Sequence, residues 1–310
     1  MGRALVELLS TIEDFDITLF NRGKSNVGLF PGIKQIHGNR ETDDVLQICN
    51  QNWDCVIDFS GYYPVTFEKL LQALKENVGR YIFISTISVY DLEKFGERTI
   101  TEPDEIHSCS DAQKISKLPD AYGEKKAEME RILLSQDWLD KIILRPSFIY
   151  GRYDWTERFY YWLYRAKFCD KVLVPENFNL ALTYAEDLKN AVYRAISVTN
   201  HQTIYNTISQ TGVSLRDVVS TATSILNRSV DFVDAPKDFA ENHDLHSSPF
   251  PLFVPMNLSI DGNKWLKDFS ITQVSFRSSI ENTITYHDTI GWSAPKAGLS
   301  LEKEKEILSV

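Results

Sequence analysis

Three apolar runs, Cys55 to Phe59, Tyr81 to Ser85 and Lys141 to Pro146, are separated by stretches whose apolar residues recur at helical spacing. A strand that is apolar on both faces must be covered on both, which calls for a parallel sheet with crossover helices on each side. The rest of the first half fits this alternation. Arg3 to Ser10 carries Ala4, Leu5, Leu8 and Leu9 on one helical face, and Ile17 to Phe20 is a short β run closed by the turn Asn21-Arg22-Gly23-Lys24. A weak strand at Ile33 to His37 precedes a helix from Thr42 to Asn50. Phe67 to Glu76, Tyr122 to Ser135 and Ala185 to Ile196 read as further helices, and the strand Ile204 to Thr207 rejoins the sheet. The expected fold class is α/β, a doubly wound parallel sheet.

Length and charge narrow what such a sheet can serve. The chain's 310 residues are enough for two cores. Residues 1–151 and 183–207 read as the sheet domain, and residues 152–182 and 208–310 as a smaller substrate-binding lobe. The lobe opens on an aromatic cluster, Tyr153, Trp155, Phe159, Tyr160, Tyr161, Trp162 and Tyr164, read partly as core and partly as a substrate wall. A net charge of −10 repels polyphosphate backbones, so no nucleic-acid partner is expected. The uncharged run Ser247 to Ile260 is short and carries Pro249, Pro251 and Pro255, so no membrane span is expected. Without a secretory pattern at the N-terminus, the expected compartment is cytoplasmic. Cys49, Cys55, Cys109 and Cys169 follow no disulfide or metal spacing and read as free thiols. His243 and His246 lack a third ligand, so no metal is expected. The alternating charges of Glu302 to Glu306 read as a solvated helix face.

The chemistry concentrates in two segments. Tyr122 and Lys126 stand four apart at the start of a helix, on one face, where an ammonium favours phenolate and makes the tyrosine a usable acid or base. The other reading is a solvated helix face with an unrelated Tyr and Lys. The strand Tyr81 to Ser85 ends in Ser85, Thr86 and Ser88, at the carboxyl edge where open α/β sheets place ligands. Thr86 could hydrogen-bond a reacting oxygen there, or these hydroxyls could simply satisfy backbone groups at a strand end.

With these segments the chain resembles the extended, epimerase/dehydratase-like branch of the short-chain dehydrogenase/reductases. The resemblance also covers Asp54 to Ser60 with Gly61, the R-P-x-x-x-Y-G run Arg145 to Gly151, Tyr184 to Leu188 with Asp187, and Tyr205-Asn206. Gly151 to Arg165, with Asp154, Thr156 and Arg158, is similar to an atypical bacterial subgroup. The resemblance implies catalytic roles for Thr86, Tyr122 and Lys126, with Lys126 also binding the nicotinamide ribose. It implies that Gly2, Asn21, Arg22, Lys24, Ser60, Gly61, Pro146 and Phe148 line the cofactor. Arg145 is open between a ligand role and an internal charge pair.

Asn21 stands where NAD-preferring members carry an acid, and Arg22 and Lys24 would suit a 2′-phosphate, which favours NADP over NAD. Ile87-Ser88 after Thr86 lacks the Asp-Glu pair of the dehydratases. The implied activity is therefore an NAD(P)-dependent oxidoreductase or epimerase acting on a carbonyl or secondary alcohol of a small, sugar-nucleotide-like substrate. The alternative is a non-catalytic dinucleotide-binding, regulatory or RNA-associated protein of the same fold. A homodimer through the helices Phe67 to Glu76 and Tyr122 to Ser135 is a further implication.

The family's first strand and first two glycines have no counterpart. Met1-Gly2-Arg3-Ala4-Leu5-Val6 matches the end of the glycine-rich turn and the start of its helix. The expectation is of an N-terminally shortened form, poorly stable and weak in dinucleotide binding.

Overall fold

In a computed structural model of the chain, residues 1–75, 77–236, 239 and 249–308 are described. The chain opens on α1 (Gly2–Leu9), then runs through β1 (Thr18–Asn21), β2 (Lys34–His37), β3 (Trp53–Asp58), α2 (Pro64–Leu74) and β4 (Val78–Ile84). A short α3 (Asp111–Ile115) leads to α4 (Tyr122–Leu134), β5 (Asp140–Pro146), β6 (Phe148–Tyr150) and α5 (Arg158–Phe168). Next come β7 (Lys171–Val174), β8 (Leu180–Tyr184), α6 (Ala185–Ser197), β9 (Ile204–Thr207) and β10 (Gln210–Val213). The last elements are α7 (Leu215–Ile225), β11 (Asp231–Asp234), α8 (Asn263–Asp268), α9 (Phe276–Ile290) and α10 (Leu301–Leu308).

Strands β3, β4, β5 and β9 form a parallel ladder in that order. Ile82 stands opposite Ile57 on one side and Ile142 on the other. Successive side chains of a strand alternate faces. Tyr81 and Phe83 accordingly pack with Phe67, Leu71, Met129 and Leu133 of α2 and α4. Ile82 and Ile84 pack on the opposite face with Leu5 and Leu9 of α1 and Leu188 and Val192 of α6. The sheet is covered on both faces, as doubly wound sheets are.

Two features depart from the sequence reading. Among the described residues no ladder joins β1 to β3, so β1 and β2 form a parallel pair of their own. The segment expected as a helix from Thr42 to Asn50 is a 3₁₀ helix over Asp43–Ile48. Its buried residues, Val45 and Ile48, are three apart, and that spacing suits three residues per turn.

A second core is built from α5, α7, α9 and the strands β7 and β8. It takes Phe159, Tyr161 and Trp162 of the aromatic cluster, and Tyr160 is buried as well. The solvated reading of the C-terminal helix holds for Glu302, Lys305 and Glu306, which are exposed, and fails at one residue. Glu304 is buried in α10, where its carboxylate accepts from Arg165 Nε at 2.8 Å. His243 and His246, and the first two residues of the run 247–260, lie outside the described residues. All four cysteines are free thiols.

Arg145 also has its answer here, because it is an internal pair. Its Nε and Nη2 donate to Glu130 of α4 at 3.0 and 2.5 Å, with both side chains almost fully enclosed. Nη1 donates to Tyr90 Oη at 2.5 Å, and that hydroxyl donates to Asn206 Oδ1 of β9 at 2.8 Å. Breaking one side of such a pair strands a buried charge. Glu130→Ala is expected to lower the unfolding free energy by about 3–5 kcal/mol, read as a drop in the urea midpoint.

Candidate active site

The carboxyl ends of β4 and β5 open into a cleft of about 330 Å³. Thr86, Tyr122 and Lys126 lie on its wall, together with Ser85, Pro146 and Phe148. Backbone geometry sets the spacing of the first two. Thr86 accepts from Ser88 N at 3.1 Å and caps a single 3₁₀ turn, Ile87–Val89. The first turn of α4 packs against that turn at Gly123, where any Cβ would overlap the Ser88 carbonyl oxygen. Ala121, just before the helix, holds a left-handed φ of 49°. This strained entry brings Tyr122 to the end of β4.

Desolvation dominates both titrating groups. Tyr122 is 43% exposed as a residue, yet the enclosure of its hydroxyl pushes its pKa up to about 12. The neighbouring Tyr62 adds to that rise, while a hydrogen bond with Thr86 and the charge of Arg158 oppose it. Burial pulls Lys126 down to about 8. Its ammonium donates to the Ile84 carbonyl at 2.8 Å and sits 4.5 Å from the Phe83 ring centroid. The expected lowering of the tyrosine by Lys126 is therefore corrected, since burial outweighs it and Lys126 is not among the groups that shift Tyr122.

Other expected residues are spread more widely. Met1, rather than Gly2, reaches the cleft wall. Asn21 closes β1, with its Oδ1 accepting from Gly23 N at 2.7 Å, and Arg22 is exposed on the turn. Lys24 is exposed as well. Ser60 and Gly61 follow β3 beside a buried cluster: Arg40 donates to Asp58 at 2.5 and 3.0 Å and to Ser60 Oγ at 3.1 Å. Tyr81 Oη donates to the same carboxylate at 2.8 Å. Burial alone would raise Asp58, but the Arg40 pair and these hydrogen bonds hold it down to about 2. Gly61 lies so flat on the sheet that a Cβ would come 2.8 Å from the Phe83 ring.

The structure adds Tyr62, which sequence reasoning did not assign, and brings to the cleft Ser85 and part of the segment singled out between Tyr153 and Arg158. Tyr62 lines the wall with its ring centroid 6.4 Å from that of Tyr122. Among the described residues the Ser85 hydroxyl, buried there, has no hydrogen-bond partner. Tyr153, Asp154, Trp155, Thr156 and Arg158 come from the loop ahead of α5 and the start of that helix. Among the described residues no helix is long and apolar enough to cross a membrane, and no cluster of ligating side chains could hold a metal ion.

No family model matches the sequence, and no curated protein matches it. Solved structures do superpose over nearly the whole chain. UDP-glucuronic acid 4-epimerase from Bacillus cereus, solved with NAD, is 15% identical with a TM-score of 0.69, covering 94% of this chain and 96% of that one. A UDP-glucose 4-epimerase is 17% identical with a TM-score of 0.68 over the same shares. dTDP-glucose 4,6-dehydratase from Bacillus anthracis, solved with NAD, is 15% identical with a TM-score of 0.65, covering 93% of each chain. The chain thus has the Rossmann-like fold that these epimerases and dehydratases share.

The depressed Lys126 has a direct consequence for stability. A lysine at about 8 when folded and 10.5 when unfolded binds fewer protons in the folded state between those values, so stability rises with pH across that window. Measured against Lys126→Met, which removes the titration, the wild-type unfolding free energy is expected to gain about 2 kcal/mol from pH 8 to pH 10.

Proposed function

We propose that this chain is a nicotinamide-dinucleotide-dependent oxidoreductase or epimerase acting on a carbonyl or secondary alcohol of a small, sugar-nucleotide-like substrate. The observation that carries the reading is the convergence of Thr86, Tyr122 and Lys126 on one cleft at the carboxyl end of a parallel sheet. The fold shared with epimerases and dehydratases solved with NAD supports it.

The cleft fits the nicotinamide end of a dinucleotide. The unpartnered Ser85 hydroxyl offers a hydrogen bond, Pro146 and Phe148 give an apolar wall, and the Lys126 ammonium has donors beyond the one given to Ile84. Lys126 would hold the ribose, with Ser60 and Gly61 beneath the sheet edge and Gly2 at the start of α1 toward the pyrophosphate. When bound, the dinucleotide supplies or accepts the hydride. Tyr122 carries the matching proton to or from the substrate oxygen. A phenol at about 12 holds that proton firmly, so it acts as the acid when a carbonyl is reduced. Thr86 donates a hydrogen bond to the same oxygen.

Arg22 and Lys24 support NADP as the preferred dinucleotide: both are exposed, and among the described residues neither has an ion-pair partner. The neighbours cited with a bound cofactor hold NAD, so this preference rests on those two side chains alone. Arg22→Ala is expected to weaken NADPH by about 1.5–3 kcal/mol more than NADH in a fluorescence titration.

Tyr122→Phe decides the main reading. Loss of the hydroxyl is expected to cut turnover by about 10²–10⁴-fold while NADH and NADPH affinities stay within twofold or so, read by stopped assay and titration on the same preparation. Unchanged turnover would overturn the acid role of Tyr122, and absence of turnover in both proteins would leave the non-catalytic dinucleotide-binding alternative.

A further inference from the structure

The helix that carries Tyr122 starts without a cap of the usual kind. Its N-cap, Ala121, has no side-chain oxygen to accept from the free N–H groups of the first turn, and it holds a left-handed backbone with φ 49° and ψ 42°. Such a helix end frays unless something outside the helix secures it. Tyr122, the first helical residue, is the first to lose its place when it does.

Lys125 secures it from outside. Residues 107–120 run back along α4 and attach to it at Arg131, Glu128 and Lys125, which are three apart and therefore on one side of the helix. Arg131 donates to the His107 carbonyl, and Glu128 pairs with Lys114 at 3.2 Å. Lys125 Nζ donates to the Leu118 carbonyl at 2.7 Å and to Asp120 Oδ1 at 2.9 Å. The first two attachments have half-exposed cations, and solvated pairs contribute little. Lys125 differs, being 2% exposed, with its ammonium 5.8 Å from the Tyr63 ring centroid. A buried ammonium must keep its acceptors, and both of these belong to the three residues before Ala121. A cation so close to a helix N-terminus also opposes the helix dipole, so α4 by itself gives no reason for a lysine there.

We infer that Lys125 is a positioning residue for Tyr122: by drawing Leu118 and Asp120 onto α4 it closes the loop 118–121, holds Ala121 in its left-handed conformation and keeps the Tyr122 ring at the end of β4. Lys125 is not among the residues that line the cleft, so it acts through Tyr122 alone. Gly123 against the Ser88 carbonyl bounds the same turn from the sheet side. The importance of that position rests on the proposed reading of Tyr122 as the acid.

The test uses the full chain with 3-fluorotyrosine at position 122, reading its fluorine resonance against pH, together with amide exchange in the first turn of α4. Tyr62, Thr86 and Arg158 act on the Tyr122 hydroxyl and Lys125 is not among the groups that shift it, so removing the Lys125 charge moves that titration through movement of the ring. Lys125→Met, which keeps the volume, is expected to lower the pKa at position 122 by about one pH unit or more, toward that of free 3-fluorotyrosine, and to speed the exchange about tenfold. Adding Ala121→Gly, which relieves the left-handed φ, should reverse a large part of both changes. Asp120→Ala removes one acceptor at an exposed residue and should move both readings the same way by less. A titration or an exchange rate that stays at the wild-type value in Lys125→Met, or changes that Ala121→Gly leaves in full, would overturn the assignment. Should Lys125→Met fail to fold, wild-type readings in Asp120→Ala would overturn it too. Both readings are taken without substrate, so turnover retained by Tyr122→Phe would refute the acid role and leave this result standing.

Discussion

The buried pair of Arg145 and Glu130 ties together the parts on which the site depends. Arg145 belongs to β5, Glu130 to α4, and the Tyr90 hydroxyl between Arg145 and Asn206 extends the link to β9. Two charges removed from water are stable only when every remaining donor finds an acceptor. Arg145 meets this condition through Glu130, Tyr90 and the Glu102 carbonyl. The pair lies two helical turns beyond Tyr122 and one beyond Lys126, on the helix that carries both. Either charge left alone would be buried without its partner, so a docking of α4 that parts Glu130 from Arg145 is disfavoured.

Desolvation sets the character of the cleft. It lifts Tyr122 and depresses Lys126, so each group is biased toward its neutral form before anything binds. Tyr122 meets partial opposition from Thr86 and Arg158, whereas Lys126 has the Ile84 carbonyl and the more distant Asp58. The cleft thus keeps a proton on the phenol and an ammonium that titrates close to neutrality. A ligand that brings negative charge would favour the charged ammonium and change both positions together.

Much of this was legible in the sequence. Continuous apolar runs marked β3, β4 and β5, because a strand covered on both faces has little choice of side chain. The four-residue spacing of Tyr122 and Lys126 marked their shared helix face. Periodicity was silent about long-range charge. Nothing local tells that Arg145 finds Glu130 or that Glu304 finds Arg165, and the alternating charges around Glu304 look like any solvated helix. Arg158 was visible as a residue of its segment, but the action of its charge on Tyr122, thirty-six residues away, leaves no mark on a linear pattern. The separation of β1 from β3 was likewise beyond reach, since strand pairing depends on partners rather than on a strand's own composition.

The close seating of Gly123 against the Ser88 carbonyl has one more consequence. The distance between Thr86 and Tyr122 is fixed by main-chain contact within the sheet domain, whereas Asp154, Thr156 and Arg158 approach the cleft from the segment that leads into the second core. The two sides of the cleft are thus positioned by different contacts, and Tyr153 and Arg152 tie the second to Glu7 and Glu186. A side chain at Gly123 would meet the Ser88 carbonyl and part Tyr122 from Thr86, whereas a change at Asp154, Thr156 or Arg158 reshapes the opposite wall and leaves that main-chain contact as it is.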